Sequence, residues 1–137
     1  MKNLMIVSLV AVLVLALVGC GSTTPASTDP ATIVKNYYDA IAAKDLDKVM
    51  SFLADDALLT NPQGKFQGKE AIRPYMQGLI DDGFHSENSN YRESNGEVRY
   101  DYKVYFGDEL VDQNTDGLTI VQDGKIVFDG LEKDKPK

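Results

Sequence analysis

The spacing of apolar residues changes at Gly83, and this change constrains the fold more than any other feature of the chain. Upstream, apolar residues recur at helical spacing in three segments that begin near Pro30, Asp45 and Gly68. Downstream, "EVRYDYKVYF" (97–106) alternates apolar and polar residues, as a half-buried antiparallel strand does. The turn signals "SNG", "FGDE" and "QDGK" divide this half into three or four strands. Helices followed by a strand meander predict an α+β domain.

The first residues form a segment of another kind. The apolar run over residues 4–18 is shorter than the roughly 20 residues of a membrane-spanning helix, so it predicts a signal segment. "LVGC" (17–20) resembles the bacterial lipobox, whose cysteine carries a lipid such as palmitate, and Cys20 is the only cysteine. We therefore predict a lipoprotein signal peptide over 1–19, a lipidated Cys20 with a flexible tether over 20–30, and a domain over 31–133. A cleaved secretory signal or an uncleaved anchor is the alternative.

The charge of the chain limits its partners. The formal net charge is −7, and the basic residues are scattered rather than clustered. Nucleic-acid binders need clustered Lys and Arg, so this distribution argues against nucleic acid. With lipid on Cys20, the expected location is the cell membrane or outer envelope, facing outside the cytoplasm.

A long segment of the domain resembles a known family. "YYDAIAAKDLDKVMSFLADDALLTNPQGKFQGKEAIRPY" (37–75) is similar to SnoaL-like members of the nuclear transport factor 2-like superfamily. The pieces that carry the resemblance are "DLD" (45–47), "ADDA" (54–57) and "GKEAIR" (68–73), and "QDGKIVFDG" fits the last hairpin of the family. The resemblance implies a cone: a curved antiparallel sheet packed on three N-terminal helices, with an apolar pocket inside. Members include enzymes, carriers and interaction modules, so the fold does not fix the function.

The ketosteroid isomerases of this superfamily imply particular site residues. In them a helix-1 tyrosine and a protonated aspartic acid bind an enolate oxygen, and a carboxylate after the first strand moves the proton. By this resemblance Tyr37 takes the place of the tyrosine and Asp116 that of the aspartic acid, whereas Asn61 occupies the position of the base. An amide cannot take a proton from carbon, so the usual isomerase mechanism is not expected.

Several residues remain open between a functional and a structural role. Asp116 shares strand parity with Leu118 and Ile120, which predicts that it points inward. Asn61 before Pro62 is also a common turn residue. His85 is the only histidine, and a lone histidine is more often an edge residue than a catalyst. Tyr102 belongs either to the pocket wall or to the packing of the sheet.

A calcium loop is an alternative for one segment. "DQNTDGLTIVQD" (112–123) has the spacing of a calcium-binding loop, with Asp112, Asn114, Asp116 and Asp123 as ligands. The flanks are predicted as strands, and residues on one continuous strand cannot surround an ion. We therefore predict no metal and no cofactor.

Three functions follow as hypotheses. The first is a lipid-anchored domain that binds a small apolar molecule through Tyr37, Asn61, Tyr102 and Asp116. The second is an isomerase, lyase or hydrolase that uses Asp116 or His85, with Tyr37 as a donor. The third is an interaction module of the envelope, whose outer sheet face forms a homodimer or binds a partner.

Overall fold

The computed structural model describes residues 28–137, so the predicted signal peptide, Cys20 and the tether up to residue 27 lie outside the described residues. This range contains three α-helices, six β-strands and one short 3₁₀ helix. None of its helices is long and apolar enough to cross a bilayer. The elements are α1 (Pro30–Ala42), α2 (Leu46–Phe52), β1 (Leu53–Asn61), β2 (Gly64–Gln67), α3 (Lys69–Asp81), β3 (Phe84–Ser94), β4 (Glu97–Phe106), β5 (Glu109–Gln122) and β6 (Lys125–Gly130).

The first two helices begin where the sequence predicts. The Asp29 side chain accepts a hydrogen bond from the Thr32 backbone N–H at 2.8 Å, which caps α1. Asp45 caps α2 in the same way, with the Lys48 N–H at 3.1 Å. No turn separates α2 from β1, because the chain passes directly from Phe52 into the first residue of the strand.

The six strands form one sheet in the order β2-β1-β6-β5-β4-β3. All neighbours are antiparallel except β1 and β6, which run parallel with Leu58 opposite Phe128. The helices pack on one face of this curved sheet, and the main core lies between the two layers. This confirms the predicted α+β fold, and it corrects the expectation of a wholly antiparallel sheet because the last strand inserts beside β1.

A bulge in β5 decides which of its side chains face the helices. Thr115 and Asp116 together lie opposite the single residue Asp101 of β4. Beyond the bulge, Gly117 and Thr119 are buried, whereas Asp116 is exposed. The prediction that Asp116 points inward is therefore wrong: Asp116 does share a side of β5 with Leu118, but that side is the outer face of the sheet.

A second bulge lies in β6. Val121 of β5 lies opposite Ile126, and Ile120 lies opposite Phe128. Val127 therefore has no partner in β5 and is the extra residue of the bulge. Ile126 belongs to the core under the helices, and Asp129, three residues later, lies on the same side of the sheet. The bulge thus turns a carboxylate inward within an apolar strand.

The C-terminal segment lies against the outer face of the sheet, opposite the helices. It is held by ion pairs of Arg99 with Glu132 at 2.7 Å, of Lys65 with Asp134 at 2.7 Å, and of Glu97 with Lys135. Leu118 and Phe128 are fully buried although they lie outside the main core cluster. Part of the face that we predict as a dimer or partner surface is therefore covered by the chain itself, and the homodimer stays a prediction.

Candidate functional site

A cavity of about 260 Å³ lies between the helices and the concave face of the sheet. α1 contributes Tyr37 and Tyr38, α3 contributes Tyr75 and Met76, and β4 contributes Tyr100 to its wall. The wall is mostly apolar and aromatic, with few polar groups, as small-molecule sites usually are. Such sites commonly measure roughly 300–1,000 Å³, so this one suits a small ligand.

A second depression, of about 540 Å³, lies over β3, β4 and β5. It is larger, but polar and charged side chains such as Glu87, Asp101 and Lys103 supply most of its lining. These side chains are exposed or partly exposed. We assign the candidate site to the smaller cavity because it combines an apolar wall with a buried carboxylate.

That carboxylate is Asp129, which is only 8% exposed. Its Oδ1 accepts hydrogen bonds from the Thr119 hydroxyl at 2.8 Å and from the Tyr38 hydroxyl at 3.0 Å. The Tyr100 hydroxyl lies 3.4 Å from the same oxygen, 2.8 Å from the Tyr38 hydroxyl and 3.0 Å from the Thr119 hydroxyl. The Tyr37 hydroxyl also hydrogen-bonds to Asp129. These five residues form a closed hydroxyl–carboxylate cluster, which we call the buried end of the cavity.

The sheet register brings this cluster together. Thr119 of β5 lies directly opposite Asp129 of β6, so their side chains meet on one face. Tyr100 of β4 lies opposite Gly117, and a Cβ at Gly117 would stand 2.4 Å from the Tyr100 ring. The missing side chain therefore lets the ring cross β5 and place its hydroxyl beside Thr119 and Asp129. Tyr38 reaches the cluster from α1.

The environment shifts the ionisation of this cluster. Burial raises the pKa of Asp129 above its ordinary value of 3.8, while hydrogen bonds from the surrounding hydroxyls, led by Thr119, act against that shift. Burial, together with the Asp129 charge, raises the pKa values of Tyr38 and Tyr100 well above 10.0. The tyrosines therefore stay protonated near neutral pH, and the carboxyl is the titrating group.

A second group of polar side chains in the cavity wall, which we call the open end, contains Asn61. Its side-chain oxygen accepts the backbone N–H groups of Gln63 and Gly64 at 2.8 and 3.1 Å, which is the turn role considered for it above. Its amide nitrogen donates to the Tyr75 hydroxyl at 2.7 Å. Because Tyr75 accepts this bond, its own proton is available to the cavity or to solvent. Asn61 thus positions a donor and is no base.

Tyr102 and Asp112 complete the open end. The Tyr102 hydroxyl donates to the Asp112 carboxylate at 3.2 Å. Burial first, and then the Asp112 charge, raise the pKa of Tyr102 to about 12. Val111 beside them lines the cavity and is 49% exposed, as neighbouring Leu110 is at 46%. This end therefore meets solvent, unlike the cluster around Asp129.

The structure brings some of the predicted site residues together and separates others. Tyr37, Asn61 and Tyr102 line the cavity, whereas Asp116 and His85 do not. The His85 ring stacks on Tyr105 with centroids 4.9 Å apart, while its neighbours Phe84 and Ser86 face the cavity. His85 therefore points to the other side of the sheet, and Asp116 is exposed in its bulge.

The segment considered as a calcium loop is a strand. β5 runs continuously from Glu109 to Gln122, and Asp112, Asn114 and Asp116 are spread along it, with Asp123 in the turn after it. In residues 28–137 no group of three or more His, Cys, Asp or Glu side chains is arranged to hold a metal ion. The loop geometry that this alternative requires is absent from the described part of the chain.

Sequence reasoning missed Asp129, although a signal was present. "KIVFDG" contains one acidic residue in an otherwise apolar strand, and a carboxylate in such a place usually has a reason to be there. Along a regular strand, Asp129 and Val127 would lie on one face and Ile126 on the other. Regular alternation therefore does not predict that Ile126 and Asp129 lie on the same face. The bulge at Val127 could be found only from the pairing with β5.

The comparisons with known proteins identify the family. The sequence pattern of the SnoaL-like domain matches residues 34–128, most of the chain. The chain therefore belongs to the SnoaL-like domain family, which confirms the resemblance to SnoaL-like proteins. No functionally characterised protein in the curated collections matches it.

Solved structures support the fold. An NTF2-like protein of unknown function from Cytophaga hutchinsonii is 16% identical, covers 74% of this chain and 87% of its own, and gives a TM-score of 0.66. An LEH-like epoxide hydrolase of M. tuberculosis is 21% identical, with 78% and 79% covered and a TM-score of 0.64. A proposed ketosteroid isomerase from Kribbella flavida is 16% identical, with 79% and 82% covered and a TM-score of 0.61. These likenesses show the NTF2-like fold alone.

Proposed function

We propose that this domain binds a small, mainly apolar molecule whose one polar group lies beside Asp129. The observation that carries the proposal is the buried carboxylate, which sits among four hydroxyls at the end of an aromatic cavity. Burying a carboxylate costs free energy, and the surrounding hydroxyls offset that cost without neutralising the charge. The cavity geometry thus suits recognition of one polar group within an apolar body.

The test is equilibrium binding of 2-naphthol to the full-length protein, followed by its fluorescence. Leu79 of α3 lines the cavity, and Leu79→Trp would fill that space. Gln77 is exposed on the same helix, so Gln77→Trp is the matched control for adding an indole. We expect saturable binding by the wild type and the control, and about a tenfold or greater loss in Leu79→Trp. Equal binding by all three proteins would contradict the proposal.

A second candidate function is that of an enzyme, an isomerase, lyase or hydrolase, in which Asp129 moves a proton. Its support is the upward pKa shift of a buried carboxyl in a cavity, since general acids and bases are often tuned in this way. Asp129 takes the role that sequence reasoning gave to Asp116 or His85. A compound that binds should then be converted by the wild type and left unchanged by Asp129→Asn, as measured by mass spectrometry.

The proposed location is the outer side of a membrane, with lipid on Cys20. Its support is the "LVGC" sequence, which lies outside the described residues. The intact mass of the mature protein should correspond to cleavage before Cys20 plus lipid, and Cys20→Ser should lose that mass and leave the membrane fraction. An unmodified Cys20 in the wild type would contradict lipid anchoring.

A further inference from the structure

The charges that line the cavity are all of one sign. Among its lining residues, all within 28–137, the ionised side chains are those of Asp112 and Asp129, with no Lys, Arg or His beside them. Both carboxylates are hydrogen-bonded to hydroxyls rather than to cationic side chains. Hydroxyl groups stabilise a carboxylate without neutralising it, so the cavity keeps a negative potential.

A count of protons shows what the buried end lacks. Thr119, Tyr38 and Tyr37 each donate their single hydroxyl proton to Asp129, and Tyr100 has acceptors in Tyr38, Thr119 and Asp129. With ionised Asp129, every proton of the cluster is used inside it, while a carboxylate has about four lone-pair sites. The cluster therefore accepts a hydrogen bond from a ligand and has none left to donate.

The aromatic side chains of the cavity wall also favour a positively charged ligand. The Tyr37 and Tyr38 rings meet edge to face at 5.0 Å, and the Tyr38 and Tyr100 rings do so at 5.6 Å. Tyr75 lies stacked on Phe66 at 4.0 Å and also borders the cavity. The faces of such rings are negative and attract a cation within about 6 Å. Aromatic faces beside a carboxylate are the features that recognise organic ammonium groups.

We propose that the ligand of this cavity is an organic cation, with an ammonium group beside Asp129 and a small apolar or aromatic body against the tyrosines. The ammonium supplies the hydrogen-bond donor that the buried end lacks and the positive charge that the whole lining lacks. This inference rests on the proposed function, because it names the ligand class of the same cavity. The formal charge of −7 on the whole chain favours the approach of a cation as well.

Three probes with the same ring system test the charge preference in the full-length protein. They are 1-naphthylmethylammonium, 1-naphthylmethanol and 1-naphthoate, which differ only in the polar group. We expect the ammonium to bind about tenfold more tightly than the alcohol, and the carboxylate to bind most weakly. This comparison uses the wild type, so it does not depend on the folding of a variant.

Two variants locate the effect. Asp129→Asn keeps the shape and removes the charge, and it should weaken the ammonium roughly tenfold or more while changing the alcohol by less than about threefold. Asp56 is exposed on β1 and does not line the cavity, so Asp56→Asn is the matched control and should leave all three affinities unchanged.

The outcomes separate this inference from the proposed function. Alcohol or carboxylate binding as tightly as the ammonium would overturn the cation assignment and leave an apolar pocket in place. An ammonium preference that survives in Asp129→Asn would overturn the role of that carboxylate. If no probe binds the wild type, and 2-naphthol does not bind either, both proposals fail together.

Discussion

At the buried end of the cavity, Asp129 and its four hydroxyls use all their protons among themselves, whereas at the open end Tyr75 accepts a bond from Asn61 and keeps its own proton. The buried cluster draws on α1, β4, β5 and β6, so four elements must be correctly placed at once. At the open end, the contact between Asn61 and Tyr75 depends on one turn and one helix. The buried end should therefore be coupled to global stability, and the open end should tolerate change.

The largest expected effect comes from Gly117→Ala. The added Cβ would stand 2.4 Å from the Tyr100 ring and push the Tyr100 hydroxyl out of the cluster. We expect the free energy of unfolding to fall by about 3 kcal/mol in chemical denaturation. Gly78→Ala is the control, since nothing lies within 4 Å of its Cβ position in α3, and it should be neutral or stabilising. Equal stability of the two variants would mean that the Tyr100 ring is not held in place.

Tyr38→Phe comes next, because it removes a donor to Asp129 and keeps the ring. The loss should be about 2 kcal/mol of unfolding free energy, since a buried charged group loses a hydrogen bond. Tyr105 offers the matched control: its hydroxyl donates to Glu87 at 3.2 Å in an exposed pair. Tyr105→Phe should leave the free energy of unfolding nearly unchanged, because the pair is exposed to solvent. A Tyr38→Phe cost as small as that of Tyr105→Phe would remove the contrast between buried and exposed hydroxyls.

The pH dependence of stability gives a third test. The folded pKa of Asp129 is raised above 3.8, so the folded chain binds this proton more tightly than the unfolded chain does. The contribution of Asp129 to the free energy of unfolding should therefore fall as pH rises from 3.8 to its folded pKa, with a slope of at most about 1.4 kcal/mol per pH unit. Above that pKa it should stay constant.

The difference in stability between the wild type and Asp129→Asn isolates this effect. Asp29, Asp55, Glu97 and Asp101 have lowered pKa values and give the opposite trend, but they are present in both proteins and cancel in the difference. Urea unfolding at a series of pH values measures it. A difference that is flat, or that rises with pH, would show that burial does not govern the ionisation of Asp129.

The smallest effect is expected at the open end, for Tyr75→Phe. The Asn61 amide loses its acceptor, but it is only partly buried and can turn to water. The stability cost should be about 0.5–1 kcal/mol, and the ring stays stacked on Phe66. A cost as large as that of Tyr38→Phe would show that both ends of the cavity are equally coupled to the fold.

Local signals in the chain determine the elements and the family of this protein. Asp29 and Asp45 are helix caps that act within three residues, and the strand turns at 95–96 and 123–124 use residues that tolerate positive φ. The four-residue strand β2 was not predicted from the sequence. Its pairing with β1, rather than local preference, makes this segment a strand.

Which side chains enter the cavity was decided by the tertiary structure. Tyr37 and Asn61 were predicted as pocket residues from the resemblance to ketosteroid isomerases, and Tyr102 from its strand, and all three line the cavity. The carboxylate was not foreseen, because the bulges at Asp116 and Val127 each break the alternation on which facing is predicted. A bulge is set by the pairing and curvature of neighbouring strands, which no window of adjacent residues contains. For this reason local sequence signals indicate a cone-shaped domain, whereas the pairing of strands in the folded sheet places Asp129 inside it.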